Sequence, residues 1–382
     1  MDERIYKRHM RFWRFLHRFA RPFIERKYRF SAEEIPLEGA FLLIPNHVTS
    51  MDPLFIWIAR GRKEPIYLVA SEHLYRLGFV SKIIQRYLPP IAKSKGNTGV
   101  DTAQQILKTL KDGRSVALFA EGEQSWMGRN IPIVPGTEKI VKLARVPLVT
   151  YRLEGGYPAL PRWSSKRRRG RITGHVVGIY PPEELRKLSR EEIAGIINRD
   201  IREDAWERQR QEPVPYKGRR LAEGLERALY LCPECRRIGT LTTKKDQILC
   251  RCGLKIIYTE TGFLKPEKPF ENIADWDDWQ RSSLRLLDFV HQEQEPYFSD
   301  EEVSLTRIED DHREVKLGKG RIVQYEDRLE CVGNTFSLDD IKGMAMVQAD
   351  RLLISTAEEY YEVRAKGRTN LRKYLEYREG RI

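Results

Sequence analysis

The stretch Phe41-Leu42-Leu43-Ile44-Pro45-Asn46-His47-Val48-Thr49-Ser50-Met51-Asp52-Pro53 decides how the first half of this chain is read. Four consecutive apolar residues, Phe41 to Ile44, predict a short buried strand. Pro45-Asn46 ends it, and His47 follows at the strand's exit, where α/β folds place functional groups. Asp52-Pro53 predicts a helix start, with Asp as N-cap and Pro at the first helical position. Leu54-Phe55-Ile56-Trp57-Ile58-Ala59 continues that helix. His47 and Asp52, set across a tight turn, can face each other. The carboxylate would hold one ring nitrogen and fix the tautomer, and the other nitrogen would accept a proton from an incoming hydroxyl. This is the base-and-orienter logic of a serine hydrolase, with the substrate's alcohol in place of the serine. Taken alone, the spacing is a weak signal and fits a capping aspartate beside an incidental histidine better.

Downstream, a helix is predicted near 100–112, with Ile106, Leu107 and Leu110 inward and a stop at Gly113. The strand Val116-Ala117-Leu118-Phe119 follows it. Such strand–helix alternation predicts an α/β layer.

Asn46-His47-x-x-Ser50-x-Asp52 after an apolar strand resembles the first block of the glycerolipid acyltransferases, the lysophosphatidic acid acyltransferase family. Three further stretches follow in that family's order. Leu88-Pro89-Pro90-Ile91-Ala92-Lys93 is similar to the second block, Phe119-Ala120-Glu121-Gly122-Glu123-Gln124-Ser125 to the third, and Val146-Pro147-Leu148-Val149-Thr150 to the fourth. The likeness spans roughly residues 30–180. It implies that His47 is the general base and Asp52 its partner. It also implies an acyl-CoA or acyl carrier protein donor, a lysophospholipid acceptor, and an acceptor site shaped by Asn46, Glu121, Gly122 and Ser125. The second and third blocks usually carry arginines thought to grip the acceptor's phosphate. Here Lys93 keeps a charge without the bidentate fork, and Gln124 keeps only hydrogen bonding. Arg129 is then a candidate for that grip, or the acceptor carries no phosphate monoester.

The 382 residues carry 68 Lys and Arg against 55 Asp and Glu, a formal charge of +13, which favours an anionic surface or nucleic acid as partner. On a helical wheel, Phe12, Trp13, Phe15, Leu16, Phe19, Ala20, Phe23 and Ile24 fall on one side. Arg11, Arg14, His17, Arg18 and Arg21 fall on the other. This predicts an amphipathic helix lying in the plane of an anionic membrane over residues 1–28, ended or kinked by Pro22. The competing reading packs it on the protein's own core. No apolar run reaches the length of a membrane span. Lys166, Arg167, Arg168, Arg169 and Arg171, near Trp163, read either as a second lipid contact or as a solvated loop.

Of five cysteines, Cys232, Cys235, Cys250 and Cys252 cluster within a short segment. Two thiolate pairs on two knuckles, with Gly253 permitting a turn, predict a structural Zn²⁺ ribbon over 225–262 with a filled coordination shell. A redox dithiol is the rival. A bridging helix is expected over 275–295, containing Trp276, Trp279, Leu284, Leu286, Leu287 and Phe289. From 300 to 382, short strands at Val303, Arg321, Arg328, Met344, Leu352 and Tyr360 precede a helix over 370–377. This resembles a pleckstrin-homology-like or GRAM-like domain, and a β-sandwich used for packing fits nearly as well.

The fold class expected is therefore α/β. An acyltransferase layer over 29–212 would follow the membrane helix, and a ribbon and a mostly β domain would come after it. The function expected is O-acyl transfer to a lysophospholipid, in the first instance 1-acyl-glycerol-3-phosphate, by a peripheral protein on the cytoplasmic face of a membrane. A glycolipid or other lipid alcohol is the alternative acceptor. A basic zinc-ribbon protein binding nucleic acid is the alternative class. Arg236, Arg237, Lys244 and Lys245 favour it, but no reader helix accompanies them and the His47–Asp52 pair would be left unused.

Overall fold

The computed structural model describes residues 3–71, 86–87, 89–93, 100–286, 295–309 and 313–380. They fall into two compact units. The first is Met1–Pro161 with Arg169–Tyr216, and the second is Arg162–Arg168 with Lys217–Ile382.

The first unit is built on a mixed seven-stranded sheet. Its strands are β1 (Phe30–Ala32), β2 (Leu42–Pro45), β3 (Ile66–Ser71), β4 (Ile91–Lys93), β5 (Ser115–Ala117), β6 (Leu148–Glu154) and β7 (Ile172–Tyr180). They lie in the order β1-β7-β6-β2-β5-β3-β4. Strands β6, β2, β5, β3 and β4 run parallel, and β7 is antiparallel to β6. The apolar run at 41–44 thus becomes the central strand, paired on both sides and buried on both faces, as parallel strands are. Leu42 and Ile44 point to one face, into a core with Ile106, Leu110, Val141, Ile193 and Ile197. These come from helices α3 (Val100–Lys111), α4 (Thr137–Ala144) and α7 (Arg190–Asp200), placed between and after α1 (Glu3–Tyr28), α2 (Asp52–Arg60), α5 (Gly156–Ala159) and α6 (Pro182–Lys187). Helix α2 packs against β1 and β3, and Phe30 stacks on Phe55 at 4.4 Å.

Helix α1 covers α2 through a buried stripe of Tyr6, His9, Trp13, His17 and Ile24. Trp13 Nε1 donates to the Gly61 carbonyl at 2.9 Å, and His17 Nε2 meets the Trp57 carbonyl at 2.9 Å. Two expectations change here. His17 belongs to the buried stripe rather than to the basic face, and Trp13 and Ile24 are core residues. Pro22 lies inside a continuous helix rather than ending it; packing on both sides of it, by His17 and Ile24, holds the helix across the missing N–H. Phe15, Phe19 and Phe23 remain 58%, 62% and 66% exposed. No described helix is long and apolar enough to cross a membrane.

The second unit holds a four-stranded antiparallel sheet ordered β11-β10-β9-β8: β8 (Leu241–Lys244), β9 (Gln247–Cys250), β10 (Lys255–Tyr258) and β11 (Leu264–Lys265). Helix α9 (Ile273–Leu286), after α8 (Ala205–Gln211) of the first unit, covers the described part of the helix expected over 275–295; Leu287 and Phe289 lie outside the described residues. The C-terminal sheet has seven strands, β12 (Phe298–Ile308), β13 (Glu314–Gln324), β14 (Arg328–Cys331), β15 (Asn334–Ser337), β16 (Gly343–Val347), β17 (Arg351–Ser355) and β18 (Tyr360–Ala365), in the order β15-β14-β13-β12-β18-β17-β16, followed by helix α10 (Arg372–Glu379). All its pairings are antiparallel, but the expected single meander is replaced by two, β12 to β15 and β16 to β18, joined where β12 pairs with β18; the terminal helix follows as expected. A strand at Asn334–Ser337 was not anticipated.

Ribbon, helix and sheet are tied by buried charge. Arg372 donates to both oxygens of Asp277 at 2.8 and 2.7 Å, and Tyr230 donates to Glu376 at 2.6 Å. The basic run also departs from both expectations at one residue. Arg168 is neither a lipid contact nor solvated: it is 3% exposed, its guanidinium lying 4.8 Å from the Trp163 ring and 4.9 Å from Tyr258.

Candidate active site and metal centre

Four chain segments meet at the carboxyl ends of the parallel strands, the crevice that such sheets use for ligands. His47 follows β2, Lys93 closes β4, Phe119–Ser125 follow β5, and Glu154 closes β6.

His47 Nδ1 and Asp52 Oδ2 lie 2.9 Å apart. Asp52 is fully buried, and the His47 side chain keeps 15% of its exposure. The aspartate does not cap α2 as the sequence suggested. Met51 stands at the cap position and Asp52 is the first helical residue. Its carboxylate turns back into the preceding turn. Oδ2 accepts from the amides of Val48 at 2.6 Å and Thr49 at 2.8 Å, and Oδ1 accepts from Thr49 Oγ1 at 2.8 Å. Asp52 Oδ2 acts as the acceptor in this turn, so Nδ1 carries the proton and donates to it. Nε2 is left as the basic nitrogen. The Phe119 ring stacks on the imidazole, centroids 4.3 Å apart, and fixes its plane.

The remaining block residues divide sharply. Asn46 is fully buried; its amide donates to the Leu153 carbonyl at 2.8 Å and accepts from the Leu153 amide at 2.7 Å. It extends the β2–β6 ladder by one side chain. Glu121 is 3% exposed and accepts from the His47 amide at 2.7 Å, Asn130 Nδ2 at 2.8 Å and the Ile131 amide at 3.1 Å. Burial pushes its carboxyl up to about 7, against the pull of those donors. Ser125 is buried; its amide donates to the His47 carbonyl at 3.0 Å, and its hydroxyl donates to the Arg129 carbonyl at 2.7 Å. Asn46, Glu121 and Ser125 therefore hold the His47 turn from three directions, where direct acceptor contact was expected. Gly122 is exposed at the turn, with φ of 74°, and Gln124 is half-buried. Arg129 Nε pairs with Asp204 Oδ2 at 3.0 Å. Of the second block, Leu88 and the side chains of Ala92 and Lys93 lie outside the described residues.

Three residues of this site were not singled out from sequence. Thr49 had a signal, a hydroxyl inside the His47–Asp52 turn. Phe119 was read as the end of a strand and the first residue of the third block, not as a contact of the imidazole. Asn130 had none, because its role comes from a loop that returns to Glu121.

In the second unit, Cys232, Cys235, Cys250 and Cys252 bring their sulfurs within 4.8 Å of one another. Cys232–Cys252 and Cys235–Cys250 are each separated by 3.7 Å. A tetrahedral ion bonded to sulfur at about 2.3 Å would set its ligands roughly 3.8 Å apart. The four thiols fit such an ion and form no disulfide.

Residues 27–154 match the family model described as Acyltransferase. No curated protein matches the chain. Among solved structures, the chain is similar to the 1-acyl-sn-glycerophosphate (LPA) acyltransferase PlsC from Thermotoga maritima. The identity is 20%, over 53% of this chain and 82% of that one, with a TM-score of 0.42. The family match encloses both the His47–Asp52 turn and the Phe119–Ser125 turn that supports it, so residues 27–154 are similar to an acyltransferase domain.

Proposed function

We propose that this protein moves an acyl chain from a thioester, acyl-CoA or acyl carrier protein, to a hydroxyl of a lysophospholipid at a membrane surface. The observation that carries the reading is the His47–Asp52 contact at 2.9 Å with Asp52 saturated by donors. Nε2 removes the proton of the acceptor hydroxyl as its oxygen attacks the thioester carbonyl. The tetrahedral intermediate expels a thiolate, which takes that proton back from the imidazolium. Asp52 stabilises the imidazolium while it exists.

A membrane location is supported by α1. Its exposed Phe15, Phe19 and Phe23 lie among exposed Arg11, Arg14, Arg18 and Arg26, a pairing suited to headgroup phosphates and the acyl boundary. The helix ends at the catalytic turn, since the Tyr28 hydroxyl donates to Met51 Sδ at 3.3 Å. A cytoplasmic leaflet accords with this basic surface and with reduced cysteines. We assign the four-cysteine site to structural Zn²⁺, because four thiolates leave no position for a substrate or water.

The test is transfer of a labelled acyl group from thioester to a panel of lysolipids, with His47→Ala as control. Transfer that survives His47→Ala refutes the catalytic assignment. Salt-sensitive nucleic-acid binding without any transfer would favour the alternative class.

A further inference from the structure

The turn that supports His47 offers no cation of its own to a phosphate monoester; the Lys93 side chain at the end of β4 lies outside the described residues. From Phe119 to Met127 it contains two glutamates and neither lysine nor arginine, and Asn46 to Asp52 contains no lysine or arginine either. The turn is in direct contact with the catalytic residue, through the Phe119 ring at 4.3 Å and the Ser125 amide at 3.0 Å. Glu123, Gln124 and Trp126 are all half-buried on it. Trp126 Nε1 donates to Glu123 Oε1 at 3.3 Å, and the Tyr157 hydroxyl holds the Trp126 carbonyl at 2.8 Å. The next cation along the chain, Arg129, is engaged by Asp204.

Resting on the acyl-transfer reading, we propose that the acceptor presents an uncharged, hydroxyl-rich head to this turn, recognised by Glu123, Gln124 and Trp126. A carboxylate accepts from neighbouring hydroxyls, and a primary amide both donates and accepts. An indole offers apolar surface to the C–H face of a polyol while its N–H stays satisfied. A dianionic terminal phosphate would instead meet the like charge of Glu123. The same head chemistry occurs on phosphodiester lipids and on glycosyl lipids.

The experiment measures kcat/KM with one labelled acyl thioester and four acceptors bearing the same acyl chain. These are lysophosphatidic acid, lysophosphatidylglycerol, lysophosphatidylinositol and a monoacylated glucosylglycerol. A polyol head favoured at least ten-fold over lysophosphatidic acid supports the proposal, and the preferred arm identifies the lipid source. Glu123→Ala should raise the KM of that acceptor at least five-fold, the loss falling on KM rather than kcat. Replacing Glu123 and Gln124 together by arginine should move preference toward lysophosphatidic acid. Lysophosphatidic acid used as well as or better than every polyol head overturns the proposal and leaves acyl transfer standing. No transfer to any acceptor overturns acyl transfer itself and this proposal with it.

Discussion

Asp52→Asn separates the charge of Asp52 from its geometry. The asparagine carbonyl can take the Oδ2 position, keeping the bonds from His47 Nδ1, Val48 N and Thr49 N. Its amide then faces Thr49 Oγ1, which rotates its hydroxyl to accept. The turn and the tautomer survive, and only the charge is lost. When His47 becomes an imidazolium, that charge would have lain 2.9 Å from Nδ1. Two unit charges about 3 Å apart are worth roughly 5 kcal/mol at an effective dielectric near 20. At about 1.4 kcal/mol per factor of ten, kcat should fall on the order of 10³-fold or more. KM should change little, because the acceptor is bound before the imidazolium forms. The assay is steady-state transfer with unchanged circular dichroism and melting temperature as the check on folding. A folded Asp52→Asn protein keeping more than a tenth of the parent kcat would refute the imidazolium argument. Thr49→Val, which removes the hydroxyl donor to Oδ1, should cost about ten-fold on the same reasoning.

Three further outcomes are expected. Glu121 has a folded pKa of about 7 against 4.5 for the ordinary group, so the folded state binds the extra proton between those values. Its contribution to stability is complete below pH 4.5 and is lost as pH rises to about 7, roughly 3 kcal/mol at about 1.4 kcal/mol per pH unit. Urea unfolding from pH 4.5 to 8 should show this slope in the parent and a flatter one in Glu121→Gln; equal slopes would contradict it. Chelation, or Cys235→Ser, should release one zinc per chain and lower the melting temperature of the second unit, read by metal analysis and calorimetry. Replacing Phe15, Phe19 and Phe23 by serine should weaken sedimentation with anionic vesicles by roughly 100-fold, at about 1 kcal/mol per partly inserted ring, without lowering the melting temperature.

The parts of the fold that were legible in sequence are those set by local pattern. The apolar run at 41–44 could only be a strand buried on both faces, and the cysteine spacing closes a site within one ribbon. Short alternating strands after residue 300 announce an antiparallel sheet, though not the β12–β18 pairing that joins its two halves. Illegible parts depend on partners far away in the chain. Arg168 looked solvent-bound because arginine usually is, yet Tyr258 and Trp163 sandwich it and Leu221 accepts its Nη2 proton at 2.5 Å. His17 was sorted by polarity onto the basic face. Its burial depends on the Trp57 carbonyl, forty residues away in sequence, and burial lowers its pKa to about 4, keeping the ring neutral there.

Residue type also misled at the catalytic turn, and the reason bears on how the site works. Asp-Pro at a helix start normally signals a cap, but a cap would aim the carboxylate along α2. The structure spends Asp52 on the turn behind it, and Asn46, Glu121 and Ser125 do likewise. Asn46 fixes the strand exit to Leu153, Glu121 holds the His47 amide, and Ser125 holds the His47 carbonyl. Both backbone groups of His47 are thus anchored to a single turn, and its ring is held by Asp52 and Phe119. A base fixed at four points reaches the transition state without reorganising, which is where preorganised sites gain their rate. Loosening any one anchor should therefore lower kcat more than it raises KM. Changing Glu123 or Gln124, which anchor nothing on His47, should do the reverse.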